Sequence, residues 1–582
     1  MNIISKNKSL VFTLLIFFIL CAGYYFGNDL GDFPDENQHL GYVLDVTKHG
    51  FPDYAHGMIY GEKKLNHLEH PALYYVISGE VGKIASLFDI TLIKSLRIVN
   101  IFISSLTLLT IYCSLKALKV SQMAIFMSLL FIISIPMFIL LSSSISNDPL
   151  MILGGALTFH ALVLYYKNES ARKTLYFFIA GGLIVALTKA TGALSVLCVI
   201  LVFLLLENKS IINKIKDLKK YDFIAVVIAL SFIVLYYIVI HIIYGGFFPA
   251  PQGDPSDWFE QANPDAPRFS LMENIIAFYQ SNMHTLLIPY GHKPFSDLHF
   301  REVLLGYSFG VIPIFILLNI YTGLKTNTLK WKISFITIIS FIIYTLFYFY
   351  TVRQLNLKTG YPGAMQARYL FVFLPAIVII YAATYQSIKS FLIRSILSLI
   401  VISTSLLSFY PSYYSLISSI VTPFYGQIKN DSFFGELIKG RTFEQQFISQ
   451  YDTLNKVDLY LATYARSNTS NVSLEIVNKA GKIIGTSTVN ASQLKDNSWA
   501  TFTFKSLQLS KGETYTLRLI SDDASNGNAI TWYAYSGRNA FPMYAGTVYG
   551  PGEPKVNRYL SGHALVDGNV IDAAFSFKIY VN

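Results

Sequence analysis

The chain has 582 residues, of which 53% are hydrophobic and only 14% are charged, and several apolar runs approach the ~20 residues that cross a bilayer. This composition excludes a soluble globular protein and predicts a polytopic α-helical membrane protein. The net charge of +10 lies largely in short loops beside the apolar runs. That pattern is typical of membrane topology and gives no indication of nucleic-acid binding.

The apolar runs, taken in chain order, predict about eleven membrane-spanning helices. Their cores are residues 9–27, 97–115, 123–145, 150–166, 174–187, 191–206, 222–244, 303–322, 333–350, 369–386 and 391–410. If the spans alternate from a cytoplasmic N-terminus, every cluster of Lys and Arg falls on one side, as the positive-inside rule expects. The protein is therefore expected in the plasma (inner) membrane, with its C-terminus outside the cytoplasm.

The same alternation predicts which segments lie outside the cytoplasm. They are residues 28–96 (the first outer loop), 142–148, 245–302 (the second large outer loop) and 351–368. These segments are long or rich in charged and aromatic residues, so function is expected on the outer face. Few ionisable groups fall within the spans, mainly His160 and His241, which argues against a translocation path.

The first outer loop opens with an acidic stretch from Asp32 to Leu40. Pro34 suits the first position of a helix, which would put Asp35 and Glu36 in the first turn and His39 on the same face as Asp35. One interpretation is structural, because acids at a helix start complement the macrodipole. The other is a pair of functional carboxylates at the membrane surface.

The chain changes character beyond residue 410. We predict a membrane domain over 1–410, a connecting segment over 411–446 and a β domain over 447–582. Alternating apolar runs in the last part occur at 472–476, 499–504, 514–519, 530–535 and 575–580. Short strands at this spacing, separated by Gly, Asn, Asp and Ser turns, are typical of an all-β sandwich or jelly roll.

Four aromatic residues in the β domain allow two interpretations. Trp499, Trp532, Tyr533 and Tyr535 all lie in predicted strands. Alternating strands bury such side chains in a core, and flat aromatic faces also stack against sugar rings. The domain has no acid pair with a nearby base, so a second active site is not expected. An accessory carbohydrate-binding-like module stays open.

A series of short motifs runs through the membrane domain. The motifs are Asp35-Glu36, Glu69-His70-Pro71 within Leu68–Tyr75, Arg97 at the start of the second span, Asn147-Asp148, Leu187-Thr188-Lys189, and Gln366-Ala367-Arg368-Tyr369-Leu370. In their order and common sidedness they resemble the GT-C glycosyltransferases, integral membrane enzymes that move a sugar from a polyprenyl phosphate to an acceptor outside the cytoplasm. The resemblance covers roughly residues 1–410. Within the superfamily, the chain is similar to a poorly characterised bacterial branch related to protein-mannosyl and aminoarabinose transferases. His70 departs from the lysine of aminoarabinose-type enzymes.

The resemblance implies roles for these residues in an inverting sugar transfer to a cell-envelope glycan. Asp35 would deprotonate the acceptor hydroxyl as general base, with Glu36 or Asp148 orienting the acceptor. Asp35 and Glu36 are the predicted catalytic residues. The donor phosphate would be held by Lys189, Arg368 and His70. Residues expected to orient the groups or contact the acceptor are Asp148, His39, Glu69, Arg97 and Gln366.

Partners and cofactors follow from the same chemistry. The expected partners are a polyprenyl-phosphate-linked sugar, a glycan or glycopolymer acceptor and membrane lipid. No nucleotide is required, because the sugar already carries a lipid phosphate as its leaving group. Members of the family that the motifs resemble differ in their use of metal ions, and this sequence offers no tight ligand cluster. A divalent ion held by Asp35, His39 and His70 is an alternative. Two other functions stay open: a lipid-linked sugar flippase or transporter, and a non-enzymatic envelope protein that binds or assembles glycan.

Overall fold

The structure is a computed structural model, and it shows a helical membrane domain followed by a β-rich domain. It describes residues 7–28, 33, 35–50, 58–60, 63–65, 69–88, 91–249, 260, 264–287, 329–421, 424–427, 430, 432–449, 452–535, 563–571 and 573–580. The helical domain and the β-rich domain confirm the fold class predicted from the sequence, a polytopic α-helical membrane protein with a C-terminal β domain.

The helical domain contains fourteen α-helices and one 3₁₀ helix within the described ranges. They are α1 (Lys8–Gly27), α2 (Glu36–His49), α3 (Leu73–Ser86), α4 (Leu92–Ala117), α5 (Gln122–Ile133), α6 (Pro136–Ser143), α7 (Asp148–Tyr166), α8 (Ala171–Ala186), α9 (Ala190–Ile215), α10 (Lys220–Tyr244), α11 (Leu271–Leu287), α12 (Leu329–Thr359), the 3₁₀ helix (Ala367–Phe373), α13 (Leu374–Ser387) and α14 (Phe391–Val421). A short hairpin of β1 (Met58–Tyr60) and β2 (Lys63–Leu65) follows α2.

Eight of the described helical segments are long and apolar enough to cross a membrane, and a bent pair makes a ninth. The bent pair is α5 and α6, which meet at 70°. The sequence predicted one continuous span there. Pro136 breaks it, because proline lacks an amide hydrogen and forces the preceding Ile135 into an extended conformation (φ −81°, ψ 110°). The predicted span at 174–187 is the 16-residue α8, and the one at 303–322 lies outside the described residues.

Helix α7 lies at the centre of the membrane domain, and glycines let its neighbours approach closely. A side chain at Gly155 would meet the backbone oxygen of Val372 in the 3₁₀ helix at 2.5 Å. A side chain at Gly154 would meet the backbone oxygen of Gly181 in α8 at 3.0 Å. These contacts fix the 3₁₀ helix and α8 against α7, which brings the charged residues at their ends together.

The C-terminal domain is a sandwich of two antiparallel sheets. Its strands are β3 (Phe424–Gln427), β4 (Ser432–Phe433), β5 (Thr442–Ile448), β6 (Thr453–Ala462), β7 (Asn471–Asn478), β8 (Ile483–Asn490), β9 (Ser498–Gln508), β10 (Thr514–Ile520), β11 (Thr531–Tyr535), β12 (Ala564–Val566), β13 (Asn569–Ile571), β14 (Ala574–Phe575) and β15 (Phe577–Tyr580). One sheet has six strands in the order β13-β12-β5-β10-β7-β8. The other has seven, in the order β14-β11-β6-β15-β3, with β4 beside β11 and β9 beside β6. Side chains from both sheets, such as Phe447 and Val457, share one core.

The boundary between the domains differs from the prediction. Helix α14 continues to Val421, and β3 begins at Phe424, where it pairs with Tyr580 of β15. Among the described residues of 411–446, those up to Val421 thus belong to α14, and those at 424–427, 432–433 and 442–446 belong to strands of the sandwich. Strands β3 and β4 were not predicted, because strands of four and two residues are too short to show alternation.

Candidate active site

Four charged side chains from four separate segments form a chain of ion pairs. Lys189 Nζ lies 2.6 Å from Asp148 Oδ1, and Arg368 Nη1 lies 3.7 Å from Asp148 Oδ2. Arg368 Nη2 donates a hydrogen bond to Asp35 Oδ2. Asp148, Lys189 and Arg368 are buried, whereas the Asp35 side chain is 33% exposed. The cluster thus has a buried cationic interior and an accessible end at Asp35.

The local structure of each element explains how these groups meet. Asp148 is the first residue of α7, where a carboxylate complements the helix dipole. Lys189 lies in the short break between α8 and α9 and precedes the first residue of α9. Arg368 lies in the 3₁₀ helix that packs on α7. Burial lowers the pKa of the Lys189 ammonium, and the neighbouring Asp148 carboxylate offsets part of this effect.

Asp35 has an unusual backbone for a non-glycine residue. Helix α2 begins at Glu36, two residues later than predicted, and Asp35 precedes it in the left-handed conformation (φ 59°, ψ 11°). That conformation costs on the order of 1–3 kcal/mol and persists only where surrounding contacts require it. Pro34, on which the prediction of the helix start rested, lies outside the described residues. The ion pair with Arg368 is one contact that can hold the Asp35 backbone in this conformation.

Glu36 lies beside Asp35 in sequence but is enclosed in a different network. Its carboxylate accepts hydrogen bonds from Arg97 Nε and Nη2, both at 2.9 Å, and from the Ile145 backbone nitrogen at 3.0 Å. Its side chain has no exposed surface, and Arg97 is only 4% exposed. Arg97 also donates to the backbone oxygen of Asn28 at 2.8 Å. In this geometry Glu36 and Arg97 tie α2 and α4 to the turn before α7. A catalytic role of Glu36 beside Asp35 stays a prediction.

A group of aromatic and histidine rings packs next to this pair. His39 Nδ1 lies 2.8 Å from the Tyr75 hydroxyl, and its ring stacks on that of His70 at a centroid distance of 6.2 Å. The Tyr42 hydroxyl donates to the backbone oxygen of His70 at 3.0 Å. Burial raises the pKa of Tyr75 well above its ordinary value, and the nearby Glu69 adds to the effect. The Tyr75 phenol therefore stays protonated and can donate a hydrogen bond.

Buried Arg368 and half-buried Gln366 of the Gln-x-Arg-Tyr motif carry buried polar atoms that the described protein groups leave unsatisfied. Arg368 Nε and Nη1 and Gln366 Oε1 have no hydrogen-bond partner among the described residues. The Tyr369 ring lies 5.2 Å from Lys189 Nζ, within cation–π range. Unsatisfied buried donors are uncommon and call for an explanation. An oxyanion ligand would supply acceptors for the arginine.

The sequence had named every charged member of this site, but it missed the aromatic members. Tyr369 and Tyr75 stand inside the two quoted motifs, so their position next to Arg368 and His70 was the available signal. Among the described residues, no three His, Cys, Asp or Glu side chains are grouped to hold a metal ion. The alternative of a divalent ion bound by Asp35, His39 and His70 stays a prediction.

Comparison with known proteins supports the resemblance seen in the motifs. Residues 51–248, about a third of the chain, match the model of the family described as dolichyl-phosphate-mannose-protein mannosyltransferase. The matched segment contains Glu69, His70, Arg97, Asp148 and Lys189. No curated protein matches the chain.

Solved structures of two membrane transferases are similar to the chain at low identity. One is ArnT from Cupriavidus metallidurans bound to undecaprenyl phosphate, with 14% identity, a TM-score of 0.41, and coverage of 66% of this chain and 61% of ArnT. Another is the Archaeoglobus fulgidus oligosaccharyltransferase in the apo form, with 14% identity, a TM-score of 0.43, and coverage of 70% and 56%. The archaeal enzyme AglB in complex with an inhibitory peptide and a dolichol-phosphate gives 13% identity and a TM-score of 0.40, covering 71% and 56%. The chain thus spans about three fifths of the length of these proteins.

Proposed function

We propose that this chain, a membrane protein of the GT-C superfamily, is an inverting glycosyltransferase. It moves a sugar from a polyprenyl-phosphate donor to a cell-envelope glycan at the outer face of the plasma (inner) membrane. The N-terminus then lies in the cytoplasm and the β domain outside it. The observation that carries the proposal is the cluster of Asp35, Arg368, Asp148 and Lys189, in which buried cations end at one accessible carboxylate.

The cationic end of the cluster fits the phosphate of the donor. The planar guanidinium of Arg368 presents donors in a fixed fork that matches phosphate oxygens, and its Nε and Nη1 have no hydrogen-bond partner among the described residues. Lys189 adds a second cation, held at 2.6 Å from Asp148. Asp148 keeps both cations together in a buried site, where an uncompensated pair would repel.

The contact between Arg368 and Asp35 implies an order of events. Before the donor binds, Arg368 holds Asp35 in an ion pair, which makes that carboxylate a poor base. A lipid phosphate that binds Arg368 competes with Asp35 for the same donors and releases the carboxylate for the acceptor. The acceptor hydroxyl is therefore activated only when the donor is in place.

The transfer itself needs one displacement at the anomeric carbon. Asp35 takes the proton of the acceptor hydroxyl as the hydroxyl oxygen bonds to the anomeric carbon. The bond from that carbon to the phosphate oxygen breaks on the opposite face, so the configuration inverts. The departing lipid phosphate carries the bonding electrons, and Arg368 and Lys189 stabilise its charge.

The remaining predicted residues take supporting roles in this proposal. Glu36 and Arg97 position α2 so that Asp35 faces the site. His70, close enough to Asp148 to affect its charge, would be a further contact for the donor phosphate. His39 holds the Tyr75 hydroxyl at 2.8 Å, and Gln366 and Glu69 would orient the acceptor. The transporter alternative gains nothing from His160, one of the two mid-span histidines, because its Nδ1 is paired with Ser114 Oγ at 2.9 Å in the helical core.

The test compares Asp35→Asn with a matched control, Asp217→Asn, whose side chain is exposed after α9. The assay supplies undecaprenyl-phosphate-linked hexoses and an envelope polysaccharide fraction, and it measures released undecaprenyl phosphate by mass spectrometry. Asp35→Asn should lower turnover by roughly 10²–10⁴, as expected for loss of a general base. It should bind undecaprenyl phosphate at least as tightly as the wild type, because Arg368 loses its competing carboxylate. Wild-type turnover in Asp35→Asn would refute the assignment.

A further inference from the structure

The outward face of the seven-stranded sheet carries a row of aromatic side chains. Tyr533 of β11, Tyr460 of β6 and Trp499 of β9 are neighbours across the strands, with ring centroids 5.4 Å apart for the first two and 5.2 Å apart for the last two. All three side chains are half-buried. The Tyr533 hydroxyl donates to Asn497 Oδ1 at 2.9 Å. The row therefore presents rings on the side of the sheet away from the core.

Strand alternation separates this row from the aromatic residues of the core. Trp532 has no exposed surface, and its Nε1 donates to the backbone oxygen of Ser576 at 2.8 Å. Tyr535 is also buried, but it follows Tyr533 by two residues and therefore lies on the same face of β11 as Tyr533. Of the four aromatic residues singled out in the sequence, Trp532 thus serves core packing, and Trp499 and Tyr533 face outward. Tyr460 joins them, although the sequence did not single it out.

Polar and charged side chains continue the same face next to the rings. In the adjoining cross-strand row, Asp458 of β6 is paired in register with Lys578 of β15 and Thr501 of β9. Asp458 Oδ1 accepts a hydrogen bond from the Thr501 hydroxyl at 2.8 Å. Lys578 Nζ lies 4.1 Å from the centroid of the Trp499 ring. Beyond it, Lys456 Nζ lies 4.0 Å from the ring of Tyr580.

We propose that this outward face, defined by Tyr460, Trp499, Tyr533, Asp458 and Lys578, binds a glycan chain. Sugar rings present apolar C–H faces that stack on aromatic rings, and hydroxyl groups that hydrogen-bond to carboxylate, ammonium and amide groups. The face combines both kinds of group in adjacent rows. Neighbouring strands lie about 4.8 Å apart, so three rings on three adjacent strands form a row about 10 Å long. That length accommodates more than one sugar ring. The planes of neighbouring rings are tilted by 52° and 64°, so the row presents both ring faces and ring edges.

The charges and rings of the face also favour a glycan over other occupants. A protein partner would be expected to meet a dry apolar centre with charges at the rim, whereas here Asp458 and Lys578 lie directly beside the rings. Asp458 is itself buried, with its side chain 8% exposed, and its carboxylate lies 3.4 Å from Lys456 Nζ, so it holds that ammonium beside the rings. The occupant is therefore a hydroxyl-rich glycan, and its identification with the acceptor polymer rests on the proposed function. The inference that the face binds a glycan does not depend on the proposed function.

The test measures sugar binding to the full chain in lipid nanodiscs. Probes are cellotetraose, maltotetraose, xylotetraose and chitotetraose, together with the envelope polysaccharide fraction, followed by calorimetry and by quenching of tryptophan fluorescence. Truncating an aromatic anchor commonly costs more than about 1 kcal/mol of binding, roughly a fivefold to tenfold loss. We expect that loss in Trp499→Ala and Tyr460→Ala, and near wild-type affinity in Trp499→Phe, which keeps a flat ring. Thr488→Ala, on β8 of the other sheet, is the control and should bind normally.

Two outcomes overturn the inference. One is the absence of binding to every probe, and the other is unchanged affinity in both alanine variants. Circular dichroism checks that each variant is folded, and rescue by Trp499→Phe separates stacking from a general loss of structure. Failure of the Asp35→Asn test with intact sugar binding would refute the transferase and leave the glycan-binding face. Loss of sugar binding, with the expected loss of turnover in Asp35→Asn, would refute the glycan-binding face and leave the transferase.

Discussion

Replacement of Glu36 by glutamine tests whether this residue supports the fold or takes part in the chemistry. The substitution keeps the shape of the side chain but removes its charge. The buried Glu36 carboxylate accepts three hydrogen bonds, two of them from Arg97. A glutamine can offer one oxygen, and its amide nitrogen would face an N–H donor of the guanidinium. Arg97, only 4% exposed, would lose its buried counter-charge.

The expected loss of stability follows from this enclosure. Removing one member of a buried ion pair costs about 3–5 kcal/mol, because the remaining charge is left uncompensated in a low-dielectric site. The matched control is Glu80→Gln, the same chemical change in the exposed pair of Glu80 and Lys83, whose side chains are 63% and 47% exposed. Exposed pairs contribute about 0.2–1 kcal/mol. The two substitutions should therefore differ clearly in stability.

Thermal unfolding of the purified protein in nanodiscs, followed by circular dichroism, measures the difference. Glu36→Gln should lower the midpoint strongly and Glu80→Gln only slightly. The double variant Glu36→Gln/Arg97→Gln should lose less stability than the sum of the two single variants, because neither charge is left alone. A Glu36→Gln protein as stable as Glu80→Gln, with turnover as low as that of Asp35→Asn, would refute the structural role and make Glu36 catalytic.

Three further predictions concern the buried cations and their support. Because burial lowers the pKa of Lys189, the affinity for undecaprenyl phosphate should fall as the pH rises, starting below the ordinary lysine pKa of about 10.4; Lys189→Arg should keep its affinity in the same titration by native mass spectrometry. Asp148→Asn leaves two buried cations without their shared carboxylate, so the free energy of unfolding should fall by about 3–5 kcal/mol, as for a broken buried pair. The unfolding midpoint should drop accordingly, and an unchanged midpoint would contradict the cluster. Gly155→Ala would bring a methyl group within 2.5 Å of the Val372 oxygen and displace the 3₁₀ helix, weakening phosphate binding, whereas Gly182→Ala meets no atom within 4 Å and should bind normally.

The sequence by itself determined the membrane helices and the order of the motifs. Apolar runs of bilayer length reveal spans directly, because lipid-facing segments need apolar side chains over their whole length. Each predicted core matches a described helix, with two exceptions. The core at 123–145 is divided by Pro136 into α5 and α6, and the core at 303–322 lies outside the described residues. Alternation likewise predicted several strands of the sandwich. These signals are local, so a single sequence contains them.

Only the tertiary structure decided what neighbouring residues do. Asp35 and Glu36 are adjacent, and the sequence assigned both to catalysis. The fold directs one carboxylate to Arg368, 333 residues away, and the other to Arg97, 61 residues away. In the same way, alternation placed Trp532 and Tyr533 on opposite faces of one strand, but the packing of the second sheet determined which face is buried. Contacts between residues far apart in the chain fix such roles, and local patterns do not encode them.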